Sequence, residues 1–336
     1  MRKAGEPFEL KAVSAAARAV GRMRQGADAI TRVRAKAAFP YRAPTVPSGV
    51  ELLPKPKRTG IAYETEWARR QPARAVRTLI VEGPLRALVA AVADPEIAGR
   101  DRLSDLADLD EPVIFAANHH SHLDAPLMIT SIPEPWRHRL VVGAAADYFF
   151  TTRITGALSA LALNAIPIER TKVNRRSADL ASSLVEEGWS LVIFPEGGRS
   201  PDGWGQPFRG GAAFLSVRTG TPVVPVHLDG TGVIFGKGMK KPKPGAALVT
   251  FGAPLRPAAG DDARTFGARI EQAVAVLADE AATDWWRARR NGARGTTPSL
   301  TGPRSSSWRR SWALGERRAF GKAGVRRRQK RTWPKL

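Results

Sequence analysis

The sequence predicts an α/β fold, a central mixed, largely parallel sheet flanked by helices. Three observations carry this. Six short apolar runs bounded by turn residues have the make-up of buried strands. Stretches with apolar residues three and four apart alternate with them, as helices covering a parallel sheet would. With 336 residues, the chain can hold one sizeable core plus flanking segments.

The first element is a helix between Leu10 and Ala37. Leu10, Val13, Ala17, Val20, Met23, Ala27, Ile30 and Val33 share one face, and Lys11, Arg18, Arg22, Arg24, Arg32, Arg34 and Lys36 lie on the other. That pattern suits an anionic membrane surface, and the apolar stripe suits docking on the main domain equally well. An Arg-rich targeting segment is a third reading, which Glu6, Glu9 and Asp28 weaken. Residues 1–39 are thus expected to form a basic amphipathic helical extension. Pro40, Pro44, Pro47, Pro54 and Pro56 then rule out a regular helix or central strand, so residues 40–60 read as a linker.

The main domain spans residues 61–290. Helical material runs to about Ala93, broken near Pro84. Strands are expected at residues 113–117, 140–144, 165–168, 191–194, 222–226 and 248–251. Helices are expected at 126–131, 153–163, 174–187 with Gly188 as the stop, 210–219, and 262 to about 290. The apolar run from Ile154 to Ile168 fits an acyl channel, an interfacial segment or ordinary core. Beyond Asn291, Gly, Ser, Pro and Arg dominate, and residues 291–336 are expected to be a basic, mostly disordered tail. Trp285, Trp286, Trp308 and Trp312 qualify that expectation, because tryptophan beside arginine suits a lipid headgroup region, or RNA.

Composition narrows the chemistry. No apolar stretch reaches the roughly 18 residues that cross a bilayer, and the start MRKAGEPFELK lacks the apolar centre of a secretory signal. With no cysteine, disulfides, thiolate ligands and a cysteine nucleophile are excluded. The net charge of +22 implies a polyanionic partner, and +15 of it lies from Arg287 onward, where Glu316 is the single acid.

Three segments carry candidate chemistry. In Phe115-Ala-Ala-Asn-His-His-Ser-His-Leu-Asp124, a histidine and a carboxylate stand five positions apart at the end of a buried strand, where open α/β sheets place their sites. If the chain turns into a helix there, Asp124 can accept the Nδ1 proton of His119 and leave Nε2 as a base. With no nucleophile elbow in the chain, that base would activate an external hydroxyl. Phe194-Pro-Glu-Gly-Gly-Arg-Ser200 follows another strand and reads as a phosphate or oxyanion loop, with paired glycines for close approach and Arg199 and Ser200 as donors. Glu196 would either bond a substrate hydroxyl or anchor the loop. Arg170, in Ile168-Glu-Arg170, could clamp a phosphate in bidentate fashion or pair with Glu169 at the surface.

The order Asn-His-x-Ser-x-x-Asp, Ile-Glu-Arg, Phe-Pro-Glu-Gly-x-Arg-Ser and Val-Pro-Val resembles the glycerolipid acyltransferase superfamily, whose best-known bacterial members are lysophosphatidic acid acyltransferases. The likeness covers about residues 112–255. It implies a glycerol-3-phosphate acyltransferase-like sheet, His119 as general base and Asp124 as its orienting partner. It also implies an acceptor site of Arg170, Glu196, Gly197, Gly198 and Arg199, with Asn118 and Ser121 shaping the turn beside the substrate. The implied reaction moves an acyl group from acyl-CoA or acyl carrier protein to a lysophospholipid, with no metal or redox cofactor. The long basic ends, which the family pattern does not account for, lead to the expectation of a peripheral position at the cytoplasmic face of a membrane, next to anionic lipid. Gly198 departs from the threonine of many members, which leaves glycerol phosphate, a glycolipid or an ornithine lysolipid open as acceptors.

Two rivals remain at this level. His120-Ser-His122-Leu-Asp124 imitates the start of a binuclear metal site, but Ala125 stands where another histidine belongs. A catalytically inactive scaffold, binding membrane or nucleic acid through the arginine run at residues 326–331, is the second.

Overall fold

The computed structural model describes residue 60, residues 63–169 and residues 175–315. The expected N-terminal helix, almost all of the linker, Arg170 and the chain beyond residue 315 lie outside the described residues.

A seven-stranded sheet forms the centre, in the order β1-β7-β6-β2-β5-β3-β4. The strands are β1 (Pro95–Ala98), β2 (Ile114–Ala117), β3 (Leu140–Ala145), β4 (Ala165–Ile168), β5 (Ser190–Ile193), β6 (Val223–Asp229) and β7 (Ala247–Phe251). Every pairing is parallel except β6 with β7. The mixed, largely parallel sheet expected from the sequence is therefore the fold. The six expected strands are all present, the one at residues 165–168 with the expected bounds and the other five displaced at one or both ends by one to three residues. β1 was not foreseen, because Pro95-Glu-Ile-Ala98 holds little apolar content; it is an edge strand, where a leading proline needs no ladder partner.

β2 explains why the apolar runs are continuous instead of alternating. Its four residues are all buried, since helices cover both faces of a parallel sheet. Phe115 and Ala117 enter one core with Leu127, Met128, Trp136 and Phe251. Ile114 and Ala116 enter the other with Val185, Leu215, Phe266 and Ile270. Phe115 meets Trp136 and Phe251 edge to face, at ring separations of 5.9 and 6.2 Å. β2 lies between β5 and β6 in the middle of the sheet, so whatever follows it emerges at the centre of the carboxyl edge.

The helices of eight or more residues before residue 300 are α1 (Ala73–Ile80), α2 (Arg86–Ala93), α3 (Asp124–Ser131), α4 (Arg153–Leu163), α5 (Arg175–Glu186), α6 (Gly211–Thr219), α7 (Ala263–Ala282) and α8 (Trp285–Arg294). Pro84 does not break the first pair apart; a π-helical turn at Val81–Leu85 absorbs it and carries α1 into α2. The single helix expected from residue 262 to 290 is two, because Asp284 caps a new start by accepting the Arg287 N–H at 2.9 Å. The apolar run from Ile154 divides. Ile154 and Leu158 on α4 are exposed, while Ala165 and Ile166 on β4 are buried.

The tail expected to be disordered from residue 291 is packed on the domain as far as residue 315. Leu300 is buried against Val274, Ala275 and Ala278 of α7, and its carbonyl accepts the Gly205 N–H at 3.0 Å. Gly302, at φ +70°, lies flat on the Trp204 ring, where a β-carbon would come within 2.3 Å of it. The Trp204 indole N–H donates to the Arg310 carbonyl at 3.0 Å. Composition read this stretch as polar because one leucine and one borrowed tryptophan hold it.

Candidate active site

The chain leaves β2 in a tight turn and enters α3, and Asp124, the first residue of that helix, folds back into the turn. Its Oδ2 is 2.8 Å from His119 Nδ1 and also accepts the backbone N–H groups of His120 and Ser121, both at 2.7 Å. Asp124 is fully buried. A carboxylate can only accept, so the shared proton belongs to Nδ1 and Nε2 is left as the basic atom. The imidazole lies over Phe194, with rings 4.3 Å apart and 23° from parallel. The pairing foreseen from the sequence is thus present, with a stacked aromatic that spacing could not reveal.

Asn118 and Ser121 build the turn. The Asn118 side chain donates to the Leu228 carbonyl at 2.9 Å and accepts the Leu228 N–H at 2.7 Å, fastening the end of β2 to β6. The Ser121 hydroxyl donates to the Phe235 carbonyl at 2.9 Å and accepts the Leu123 N–H at 3.0 Å. Both are buried, which gives them a structural role in place of direct substrate contact.

The loop after β5 meets this turn through backbone. Glu196 Oε1 accepts the His119 N–H and Oε2 accepts the Gln206 N–H, both at 2.9 Å, and Ser200 N–H donates to the His119 carbonyl at 2.9 Å. Glu196 is 2% exposed. It is therefore the anchor of the loop, not an acceptor ligand. Burial raises its carboxyl to about 7, with Asp124 and Glu271 adding to the effect and the two backbone donors opposing it.

Gly197 also differs from the expectation. Its N–H is spent on the Phe194 carbonyl at 3.0 Å, so it offers nothing to an anion. Its need for glycine is conformational: φ is +69°, and a β-carbon would press on the Arg209 side chain at 3.0 Å. The Gly198 carbonyl accepts from Gln206 Nε2 at 3.0 Å. Of the described members of the expected acceptor site, Arg199 is the one with a cation to offer.

Arg199 donates to His122 Nε2, and its guanidinium carbon stands 5.8 Å from the centre of the Tyr148 ring. His122 also meets the Phe235 ring at 4.9 Å. Burial first, then the charge of Arg199, holds His122 below its ordinary pKa, so it accepts from the guanidinium as a neutral ring. Sequence reasoning noticed His122 only as a metal ligand, yet its Nε2 faces a cation, the opposite of a metal-binding arrangement. The three-group cluster of possible ligands among the described residues is elsewhere, at Glu82, Glu134 and His138.

The site can thus abstract a proton at His119 and hold an anion near Arg199. The acyltransferase family model matches residues 94–229, which take in both turns. A chloroplast 1-acyl-sn-glycerol-3-phosphate acyltransferase of Brassica napus is 33% identical over 138 residues, covering 40% of this chain and 38% of that protein. The human 1-acyl-sn-glycerol-3-phosphate acyltransferase beta is 30% identical over 116 residues, covering 34% and 40%. The chain spans less than half the length of these two relatives. The crystal structure of the 1-acyl-sn-glycerophosphate acyltransferase from Thermotoga maritima aligns with a TM-score of 0.46 at 23% identity, over 63% of this chain and 81% of that one. Residues 94–229 are an acyltransferase-family domain.

Proposed function

We propose that this protein transfers a fatty acyl group from a thioester, acyl-CoA or acyl carrier protein, to the free hydroxyl of 1-acyl-glycerol-3-phosphate, giving phosphatidic acid. The observation that carries the reading is the 2.8 Å contact of His119 Nδ1 with buried Asp124 at the carboxyl edge of the sheet. The names of the relatives support the acceptor.

In the proposed step, His119 Nε2 takes the acceptor hydroxyl proton as the oxygen attacks the thioester carbonyl. Asp124 fixes the tautomer and stabilises the imidazolium that results. The tetrahedral centre then collapses, the C–S bond breaks, and the imidazolium returns its proton to the leaving sulfur. Products are one new ester and one thiol, with the base restored. Arg199 would hold the acceptor phosphate, steadied by neutral His122.

The test is transfer of labelled acyl from acyl-CoA, and in parallel from acyl carrier protein, to 1-acyl-glycerol-3-phosphate. The intact protein should form phosphatidic acid, and His119→Ala should lower the rate by about 10²–10⁴-fold. Absence of transfer from either donor by the intact protein, or equal rates in the variant, would overturn the reading.

A further inference from the structure

Residues 307–315 form a short helix with two unlike faces. Arg310, Ala313 and Leu314 turn inward, and Trp308 and Trp312, four apart and so on one side, are each 65% exposed. The inner face is tied down. Arg310 pairs with Asp202 at 2.7 Å, and its carbonyl accepts the Trp204 indole N–H at 3.0 Å. Those partners sit in the loop that continues from Arg199, where Gly203 N–H donates to Ser200 Oγ at 2.7 Å. The helix is therefore fastened beside the candidate acceptor loop, and its indoles are left outside.

Two exposed indoles, side by side on a helix whose other face is tied down through Arg310, form an apolar patch that calls for an explanation. Their surroundings supply one. From residue 285 to 315 the chain carries seven arginines and no acid, and the Arg309 guanidinium lies 5.2 Å from the Trp308 ring centre. Indole beside guanidinium is the composition of a membrane–water interface, where the ring occupies the headgroup level and the cation meets lipid phosphate.

We propose that the outer face of this helix docks the chain on an anionic lipid bilayer through Trp308 and Trp312. The docking segment lies outside the matched family region of residues 94–229. A nucleic acid would meet the arginines equally well, but the surface elsewhere favours lipid. α1 packs on α4, and the pair exposes Leu79 and Ile154, each 74%, and Leu158, 61%, aliphatic groups that a bilayer buries and a nucleic acid does not. Docking at residues 307–315 would bring the loop of Arg199 to the lipid surface, through the Arg310–Asp202 pair.

The experiment is flotation of the full chain with vesicles of phosphatidylcholine alone and of phosphatidylcholine with phosphatidylglycerol, compared with a Trp308→Ala/Trp312→Ala variant. The parent should partition into the anionic vesicles and less into the neutral ones, and the variant should lose about tenfold in partition, the scale expected for two partly inserted rings. In the parent, phosphatidylglycerol brominated on its acyl chains should quench tryptophan fluorescence, a reading that needs no variant. His119→Ala should float like the parent, so docking is judged apart from acyl transfer. Equal flotation of parent and double variant, absence of quenching, or a loss confined to oligonucleotide binding would each overturn the proposal.

Discussion

In the turn at residues 118–124 the pairing of histidine and carboxylate is local. His119 finds Asp124 five positions away, and the carboxylate is filled by the backbone of residues between them. The loop at residues 194–200 is held from a distance: Glu196 reaches back 77 positions to the His119 N–H and on to Gln206, and Arg199 reaches His122, also 77 positions away. One region is a motif that folds on itself, and the other is a part seated in a socket. The difference teaches which residues a sequence declares and which it hides. A short loop closed through buried hydrogen bonds has few alternatives, whereas a distant socket depends on the whole sheet bringing its parts together.

The sharpest way to break the comparison is at Asp124. Asp124→Asn keeps the shape, and its amide oxygen can still accept from the His120 and Ser121 N–H groups and from Nδ1, but it brings no negative charge to stabilise the imidazolium that forms when His119 takes a proton. We expect kcat to fall by about 10²–10⁴-fold with KM for acceptor little changed. A fall in KM affinity with unchanged kcat would mean that Asp124 serves the turn and not the base.

Glu196 tests the socket. Glu196→Gln leaves an amide nitrogen facing one of two backbone donors in a buried place, at a cost of about 1–3 kcal/mol in stability. The pH dependence follows from its raised carboxyl. A folded-state value near 7 against an ordinary 4.5 means that the folded chain binds the proton more tightly. The contribution to stability is therefore fully present below about 4.5 and is lost as pH rises through 7. Melting temperatures measured between pH 5 and 8 should show that decline in the parent and lose it in the variant; a parallel slope in both would place the titration elsewhere.

These two residues also mark how far the sequence could be read. The strands, the switch from β2 into α3 and the His119–Asp124 pair were legible, because buried parallel strands are continuous apolar runs and because five positions is a distance the chain spans in one turn. The role of Glu196 was left between two readings, since its partners are main-chain N–H groups, which every residue type carries and no motif advertises. Phe194 under His119 and His122 under Arg199 were invisible for a related reason: a ring stack and a neutral histidine depend on which strands become neighbours. The ordered segment at residues 291–315 escaped because a polar composition was weighed as an average, whereas Leu300 and Trp204 hold it at two points.

Arg199 sharpens the contrast at smaller scale. Arg199→Lys keeps the charge but loses the planar fork that meets His122 and, in the proposed role, would meet the acceptor phosphate, so KM for 1-acyl-glycerol-3-phosphate should rise about tenfold while kcat stays within a few-fold. An equal loss in kcat would assign Arg199 to the transition state and redraw the site around it.

The smallest effect is expected at Asp202, and it asks whether the socket extends to the chain's end. Asp202 and Arg310 are 40% and 25% exposed at their side chains, so solvent screens the pair, and Asp202→Asn should cost about 0.2–1 kcal/mol. The amide can still accept from Arg310, and Trp204 keeps its bond to the Arg310 carbonyl, so the helix at residues 307–315 should remain docked. If the loop of Arg199 is seated mainly by Glu196 and Gln206, acceptor KM will not move. A rise in acceptor KM at unchanged melting temperature would instead show that the C-terminal segment sets the position of the loop. The distant supports of the second region would then reach past the family domain, to residues on which the His119 turn does not depend.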